Sequence, residues 1–211
     1  EHPELGLLEH YVNHRVHQLV LQVTQNCNLR CDYCVYSGKY DNRTHSSKIM
    51  SWDTAKKAMD YLITHSDELD EIVIGFYGGE PLLNLELIKK CVDYMSTHVE
   101  GKKVSYSITT NGTLLTPDIA EYLSNNKFNI LISLDGSKKE HDANRKFANG
   151  KGSFDTIMSN LRNIKSHDPE FLHKISFNTV INPKNDYTSV VKYFDNDDMM
   201  CEADVALNVV E

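Results

Sequence analysis

Short strand-like runs alternate with amphipathic helical patterns from Gln18 onward, and this alternation limits the possible folds of the 211 residues more than any other feature. The strand-like runs are rich in Val, Ile, Phe and Tyr. They cover residues 18–24, 71–76, 104–109, 128–134, 174–180 and 203–210. Between them, apolar residues recur at helical spacing, as in 52–63, 84–95 and 153–164. The pattern predicts an α/β fold, with a parallel sheet, outer helices and right-handed crossovers.

The predicted helices carry start signals that support these boundaries. Ser51, Asn84, Thr116 and Ser153 stand where helix N-caps are expected, and a proline follows Thr116. Eight strands would close a full barrel, so the six strands here predict an open, partial one.

Composition and charge exclude several classes of function. The 40% hydrophobic and 25% charged residues are typical of a globular domain, and no apolar run reaches the ~20 residues of a membrane span. A net charge of -8 argues against a nucleic-acid partner. Without a secretory signal, the five cysteines indicate metal ligands or core residues and not disulfides. We therefore expect a cytoplasmic protein with no membrane or nucleic-acid partner.

Residues 1–17 are polar and rich in histidine, and they predict a short helix or lead-in arm before a core domain at 18–211. His10 and His14 have the i, i+4 spacing of a paired metal ligand, but no carboxylate or cysteine partner for them is evident from the sequence. We predict no metal site in this arm.

Three cysteines, Cys27, Cys31 and Cys34, lie within eight residues directly after the first predicted strand. Structural zinc sites and ferredoxin-type clusters usually have a fourth protein ligand. Three thiolates on a cubane iron–sulfur cluster would leave one iron open to a small molecule. Zinc stays the alternative, with Cys91 and Cys201 as candidate fourth ligands. Cys91 lies on an apolar helix stripe, and Cys201 precedes the last strand, at the opposite end of the sheet.

Polar and glycine-rich residues follow the other predicted strands, where parallel α/β folds bind their ligands. These segments are Tyr77-Gly78-Gly79-Glu80-Pro81, Thr110-Asn111-Gly112, Ser133-Leu134-Asp135-Gly136, and the fifth strand from Asn178 to Asn182. Two glycines permit close backbone approach, and a neighbouring carboxylate accepts from an ammonium group. The Thr110 segment also fits a plain strand-to-helix turn. Arg145 is suited to pair with a carboxylate, and a surface ion pair is the alternative.

Taken together, the C-x3-C-x2-C spacing with Tyr33 before its last cysteine, Gly78-Gly79-Glu80-Pro81 and Thr110-Asn111-Gly112 resemble the radical S-adenosylmethionine (SAM) superfamily. The flanking stretches are similar to its SPASM/twitch group, which contains anaerobic sulfatase-maturating enzymes and maturases of ribosomally made peptides. The resemblance covers roughly residues 18–211 and implies a partial (βα)6 barrel.

The resemblance also implies cofactors and the residues that bind them. Cys27, Cys31 and Cys34 would ligate a [4Fe-4S] cluster, and SAM would bind its open iron. The Gly78–Pro81 motif would hold the amino group of SAM, and Asn111 would line the pocket. The remaining expected cofactor contacts are Tyr33, Ser133, Arg145, Asn178 and Leu207. Asp135 is expected to face ribose hydroxyls or a substrate, together with Ser133.

The implied reaction is reductive cleavage of SAM to a 5′-deoxyadenosyl radical, which abstracts hydrogen from a precursor peptide and forms a thioether or other cross-link. Formylglycine formation in a sulfatase is the alternative, and flavodoxin or ferredoxin is the expected reductant. A non-catalytic electron carrier or a zinc-binding module is the alternative from another class. Relatives carry a C-terminal cysteine-rich cluster domain that is not found in these residues, so we expect a fragment of a longer enzyme. No general acid or base is assigned.

Overall fold

The computed structural model describes residues 6–40, 43–181, 185–201 and 203–209, without the side chains of 37–40 and 43. Six parallel strands form one sheet in the order β1-β2-β3-β4-β5-β6. Their bounds are β1 Gln18–Thr24, β2 Glu71–Gly78, β3 Lys103–Thr110, β4 Phe128–Ser133, β5 Ile175–Ile181 and β6 Asp204–Val209. All six predicted strands are confirmed, with ends shifted by one or two residues.

The sheet is open, because β1 and β6 lie at its two edges and do not pair with each other within the described residues. Sequential strands that are all parallel need a crossover between each pair, and helices supply these crossovers. The predicted partial (βα)6 barrel is therefore confirmed.

Seven α-helices are present in the described part of the chain. They are α1 Leu8–His14, α2 Trp52–Thr64, α3 Leu85–His98, α4 Pro117–Asn125, α5 Lys138–Asn144, α6 Phe154–His167 and α7 Tyr187–Asn196. Short 3-10 helices cover Pro81–Asn84 and Pro169–Lys174. A two-stranded antiparallel pair, Ser37–Tyr40 with Arg43–Thr44, follows the cysteine loop and was not expected from the sequence. No helix in these ranges is both long and apolar enough to cross a membrane.

The helices cover one face of the sheet and leave the other face open. Strand residues such as Ile74 and Phe76 join helix residues such as Met59 and Met95 in one buried apolar cluster. Because side chains alternate along a strand, the neighbouring positions face the other side. Tyr77, for example, is 51% exposed. The predicted site residues lie at the carboxyl ends of the strands.

All four predicted N-cap positions are confirmed, but only two of the four side chains cap their helices. The hydroxyls of Ser51 and Thr116 accept from the third amide of α2 and α4. Asn84 and Ser153 occupy the N-cap positions of α3 and α6, but neither side chain caps its helix. Asn84 donates to the carbonyl of a residue in β1, and the Ser153 hydroxyl bonds to other polar groups. Asp142, from α5, accepts from the first amide of α6 instead.

The predicted lead-in contains α1, whose residues are not buried, and residues 1–5 lie outside the described part. The expectation that His10 and His14 lack carboxylate partners is wrong. The loop after α2 brings Glu68 to 3.1 Å from His10 and Asp67 to 2.9 Å from His14. All four side chains are well exposed, so these contacts are surface hydrogen bonds, and no metal-holding group is found among the described residues.

Candidate functional site

The cysteine loop follows β1 and brings three thiols to the wall of one cavity of about 380 Å³. Cys27, Cys31 and Cys34 are unbridged and partly buried. The Cys27 sulfur accepts from the amide of Leu29 at 3.4 Å, and the Cys34 sulfur accepts from the amide of Tyr36 at 3.4 Å. Such donors stabilise a thiolate in preference to a thiol, as a metal-bound sulfur requires.

Burial acts in the opposite direction on these thiols. It raises the pKa of Cys27 to about 11 and that of Cys31 to about 12, and the amide of Leu29 and the charge of Arg145 offset only part of the two shifts. Without a metal the thiols of Cys27 and Cys31 stay protonated, so metal binding must release their protons.

Neither candidate for a fourth zinc ligand lies beside the three thiols. Cys91 is fully buried in the apolar core, Cys201 is exposed, and neither lines the thiol cavity. The structure therefore does not support either cysteine as the fourth ligand of a zinc ion.

The glycines after β2 let the cysteine loop lie directly against the end of this strand. The amides of Gly79 and Glu80 donate to the carbonyls of Thr24 and Asn26, both at 2.9 Å. A Cβ on Gly78 would lie 2.2 Å from the Thr24 oxygen, and one on Gly79 would lie 2.2 Å from the Asn26 oxygen. Gly78 also has a φ of +149°. These positions therefore require glycine because of contacts within the protein, before any ligand is considered.

Glu80 is fully buried and is held by the protein's own donors. Its carboxylate accepts from the amide of Leu82 at 3.1 Å, the hydroxyl of Thr110 at 2.7 Å and the amide of Asn111 at 2.7 Å. Desolvation raises its pKa to about 7, although these hydrogen bonds favour the charged form. Glu80 and the buried Pro81 do not line the thiol cavity. The expected contact of Glu80 with the amino group of SAM stays a prediction.

Asn111 joins the end of β3 to the cysteine loop. Its amide nitrogen donates to the Asn28 side chain at 2.9 Å and lies 3.8 Å from the Cys27 sulfur. The oxygen of the same amide accepts from the Thr113 hydroxyl at 2.6 Å, and Asn28 donates to that hydroxyl at 2.7 Å. The three side chains form a closed ring that fixes the orientation of the Asn111 amide toward the sulfur.

A buried ion pair links the cysteine loop to the end of β4. Asp135 is fully buried, and its Oδ2 accepts from the Tyr33 hydroxyl at 2.5 Å and from Arg145 Nε at 2.9 Å. Its Oδ1 accepts from the amide of Val180 in β5 at 3.0 Å. The Arg145 guanidinium lies 5.3 Å from the centre of the Tyr33 ring. Asp135 therefore joins the loop, β4 and β5.

The alternative of a surface ion pair for Arg145 is wrong, because its side chain is 8% exposed and its partner is Asp135. Desolvation alone lowers the pKa of Arg145, but the nearby Asp135 charge outweighs it and the net shift is upward. Burial raises the pKa of Tyr33, so its hydroxyl stays protonated and donates to Asp135. Asp135 has these partners within the protein and is absent from the cavity wall.

His141 continues this network as a neutral ring. The amide of Asp135 donates to its Nδ1 at 3.2 Å, so Nε2 carries the proton and donates to the Ser153 hydroxyl at 2.9 Å. That hydroxyl then donates to the Arg145 carbonyl at 2.9 Å. Desolvation and the Arg145 charge lower the pKa of His141 to about 3. Each donor in this series of hydrogen bonds has one acceptor, and the series fixes the backbone around Arg145.

Most of the predicted site residues come together at the cavity. Those in its wall are Cys27, Cys31, Tyr33, Cys34, Gly78, Gly79, Asn111, Ser133, Arg145 and Asn178. Leu207 does not line it and is 44% exposed on β6, while the neighbouring Asn208 lies in the wall and donates to the Asn178 side chain at 2.5 Å. Asn182 lies outside the described residues.

The sequence analysis missed several residues of the wall, among them Tyr36 and Asn208. Asn208 pairs with Val180 in the β5–β6 register, and alternation places it on the face opposite Leu207. A polar residue on the last strand beside apolar neighbours was the available signal. No sequence signal pointed to Tyr36, because it follows the cysteine motif without a distinctive spacing.

Comparisons with known proteins find relatives of this chain in sequence and in structure. The sequence model of the Radical SAM superfamily matches residues 21–194. A cysteine-type anaerobic sulfatase-maturating enzyme of Clostridium novyi is 33% identical over 156 residues, covering 72% of this chain and 41% of that protein. The radical SAM cyclopropyl synthase TigE of Paramaledivibacter caminithermalis is 27% identical over 208 residues, covering 93% of this chain and 41% of that protein.

A solved structure, native anSMEcpe with bound AdoMet and Cp18Cys peptide, matches with a TM-score of 0.76 at 26% identity. The match covers 92% of this chain and 50% of that chain. This chain therefore spans half the length or less of these three relatives.

We expect Gly79→Ala to lower the free energy of unfolding by more than about 2 kcal/mol, because the added methyl would meet the Asn26 carbonyl. Urea unfolding followed by circular dichroism measures the change. Gly6→Ala is the control, since nothing lies within 4 Å of its added methyl. Equal unfolding midpoints for the two variants would contradict the close packing of loop and strand.

We expect Asp135→Asn to destabilise the protein by about 3–5 kcal/mol, because it leaves the Arg145 guanidinium buried and unpaired. The double variant Asp135→Asn/Arg145→Met removes that unpaired charge and should recover part of the loss. Urea unfolding of the wild type, both single variants and the double variant completes the cycle. If the losses in free energy of unfolding of the two single variants add up to the loss of the double variant, the two residues do not depend on each other.

We expect the contribution of His141 to stability to fall as the pH decreases from 6.5 toward 3. In that range the unfolded chain protonates His141 and the folded protein does not, since the folded pKa is about 3. The wild type should lose up to about 1.4 kcal/mol per pH unit more than His141→Gln, which has no titrating ring. Urea unfolding at pH 7 and pH 5 tests this difference. Parallel pH profiles for the two proteins would rule out a neutral buried ring.

Proposed function

Because this chain belongs to the radical SAM superfamily, we propose that it cleaves S-adenosylmethionine reductively and abstracts hydrogen from a peptide substrate. The observation that carries the proposal is the cavity in which three unbridged thiols share a wall with Gly78, Gly79 and Asn111. The family match supports the two predicted cofactors, a [4Fe-4S] cluster and SAM.

Cys27, Cys31 and Cys34 are the residues that would hold the cluster. When both cofactors are bound, they supply one-electron cleavage of the sulfonium and a radical that takes hydrogen from the substrate. The protein contributes donors to the sulfurs, from Leu29, Tyr36 and Asn111. These donors favour the thiolate form that the cluster needs, against the burial that disfavours it.

The rest of the cavity wall would bind SAM. Gly78 and Gly79 offer backbone without side chains, and Arg145 presents a cation suited to a carboxylate. Ser133, Asn178 and the adjacent Asn208 offer hydrogen-bonding groups of the kind that ribose and adenine need. Tyr33 also lies in the wall, and its hydroxyl is held by Asp135.

The fixed wall matters because placement controls the rate of such chemistry. An error of about 1 Å in the position of a reacting group costs roughly 100-fold. Tyr33 and Arg145 each donate a hydrogen bond to Asp135, and these bonds hold the two wall residues in place. The role of Glu80 in binding the SAM amino group, and that of Pro81 beside it, are proposals carried by the Gly78–Pro81 motif alone. The proposed role of Leu207 rests only on its position in the last strand, and Leu207 does not line the cavity.

The proposed substrate is a ribosomally made peptide, in which the enzyme forms a thioether or another cross-link. A named relative, TigE, is a cyclopropyl synthase, and anSMEcpe has been solved with a bound peptide. The second candidate is conversion of a sulfatase cysteine or serine to formylglycine. It is favoured by the sulfatase-maturating enzyme that is 33% identical to this chain.

We propose further that residues 18–211 form the radical SAM core domain of a longer enzyme, after a lead-in at 1–17. The support is that this chain spans 41% of the C. novyi enzyme and 41% of TigE. A thiolate-held cluster also needs a reducing compartment, which supports cytoplasm as the location. An electron carrier or zinc module is less well supported, since neither needs a cavity beside the thiols.

We expect the anaerobically reconstituted and reduced protein to convert SAM to 5′-deoxyadenosine. Chromatography of the products measures the conversion, and the triple variant Cys27→Ala/Cys31→Ala/Cys34→Ala should give none. Cys91→Ala is the matched control, because this thiol is buried in the core and away from the cavity. Full activity in the triple variant, or zinc in place of iron after anaerobic purification, would contradict the proposal.

The two peptide reactions are distinguished by mass spectrometry of a cysteine-containing peptide after turnover. A thioether cross-link removes two hydrogens and keeps the sulfur, and formylglycine formation from cysteine removes the sulfur. Loss of sulfur would overturn the cross-linking proposal in favour of sulfatase maturation. An unchanged peptide, together with formation of 5′-deoxyadenosine, would exclude that peptide as a substrate.

A further inference from the structure

Three polar side chains next to the Cys27 thiol are joined by hydrogen bonds into a ring that connects the cysteine loop to the turn after β3. We call it the amide ring and define it as Asn28, Asn111 and Thr113. Asn111 and Thr113 are 7% and 8% exposed, and Asn28 is half-buried. Water therefore competes little for these hydrogen bonds. Asn28 and Thr113 are not in the cavity wall, and no role has been given to either of them so far.

One backbone amide sets the orientation of the Asn111 side chain. The amide of Thr113 donates to Asn111 Oδ1 at 3.0 Å. Because a backbone N–H can only donate, the side-chain atom that it meets must be the oxygen. Asn111 Nδ2 therefore lies on the other side, facing Asn28 and the Cys27 sulfur.

The direction of the other bonds in the amide ring follows from this orientation. Asn111 Nδ2 is a donor only, so Asn28 presents Oδ1 to it at 2.9 Å and directs its own Nδ2 to the Thr113 hydroxyl at 2.7 Å. That hydroxyl accepts from Asn28 and gives its single hydrogen to Asn111 Oδ1 at 2.6 Å. One hydrogen of Asn111 Nδ2 is used by Asn28, and the other is directed to the Cys27 sulfur, 3.8 Å from the nitrogen.

The turn after β3 also fixes the backbone of Asn111. The amide of Asn111 donates to Glu80 Oε2 at 2.7 Å. Gly112 follows with a φ of +74°, which favours glycine, and its amide donates to the Thr110 hydroxyl at 3.1 Å. The backbone and the side chain of Asn111 are both held, so its amide cannot exchange oxygen for nitrogen at the sulfur without breaking several hydrogen bonds.

We propose that Asn28 and Thr113 are positioning residues, which hold the Asn111 amide as a donor to the Cys27 sulfur and thereby raise the reduction potential of the cluster. This inference rests on the proposed function, because it requires Cys27 to hold the cluster. Reduction adds one electron, whose negative charge is shared by the sulfurs. An N–H directed to a sulfur stabilises this reduced form more than the oxidised form. A reversed Asn111 amide would present its oxygen to the sulfur and lower the potential.

The test is an anaerobic redox titration of the reconstituted protein, in which dithionite supplies the electron and electron paramagnetic resonance measures the reduced cluster. Thr113→Val removes the hydroxyl and keeps the shape of the side chain, whereas Thr113→Ser keeps the hydroxyl. Asn28→Ala opens the amide ring at another member. The control is Thr179→Val, which also removes a buried hydroxyl, one that donates to the Leu134 carbonyl at 2.7 Å and lies outside the ring.

We expect Thr113→Val and Asn28→Ala each to lower the ratio of reduced to oxidised cluster at a fixed potential by at least about threefold. At about 59 mV for a tenfold change, this is a shift of about 30 mV to more negative potential. Thr113→Ser and Thr179→Val should titrate like the wild type. In an Asn111→Ala background, Thr113→Val and Asn28→Ala should cause no further shift, because both residues act through the Asn111 amide.

Wild-type potentials in both Thr113→Val and Asn28→Ala would overturn the positioning role. An equal shift in Thr179→Val would also overturn it, because the loss of any buried hydroxyl would then have the same effect. Shifts that persist in the Asn111→Ala background would show that the two residues act without the Asn111 amide, and would overturn it as well.

Circular dichroism and analysis of iron and sulfide before each titration establish that a protein is folded and loaded. Asn28→Ala changes a half-buried residue and tests the positioning role even if Thr113→Val does not fold. A wild-type protein that assembles no cluster would refute the proposed function, whereas a wild-type cluster with an unchanged potential in the variants would refute only the positioning role.

Discussion

The buried carboxylate of Asp135 is the contact on which the arrangement of the site depends. It holds Tyr33 of the cysteine loop, Arg145 of the segment after α5 and the amide of Val180 in β5. Burying such a charge pair costs several kcal/mol per ion, so the pair is not evidence of high net stability. Its effect is on specificity, because removing one partner leaves the other charge unpaired and the loop without its anchor.

A second support comes from the ends of β2 and β3. Gly78 and Gly79 bring the strand end into backbone contact with the loop, and Glu80 ties the following turn to Asn111. The thiols and the cavity wall beside them are thus positioned by contacts within the chain. Such a preorganised wall is what radical chemistry requires, since it fixes the reacting groups before the cofactors act.

The sequence predicts the strands, the helices and the location of the thiols, because periodicity and a short motif are local signals. It does not predict which groups bond across the fold. Asp142 caps α6 in place of Ser153, Asp67 bonds to His14, and Asp135 bonds to Tyr33. Each of these hydrogen bonds joins residues that are far apart in sequence. Leu207, predicted as a cofactor contact, lies outside the cavity wall, and its neighbour Asn208 lies in it, because successive residues of a strand face opposite sides.

We propose that Cys27, Cys31 and Cys34 hold an iron–sulfur cluster with one iron open to SAM. The decisive measurement is Mössbauer spectroscopy of protein reconstituted with iron-57, recorded with and without SAM. We expect SAM to change the signal of one iron of the cluster and to leave the others unchanged. A cluster whose spectrum does not respond to SAM, or a protein that takes up zinc and no cluster, would contradict the claim.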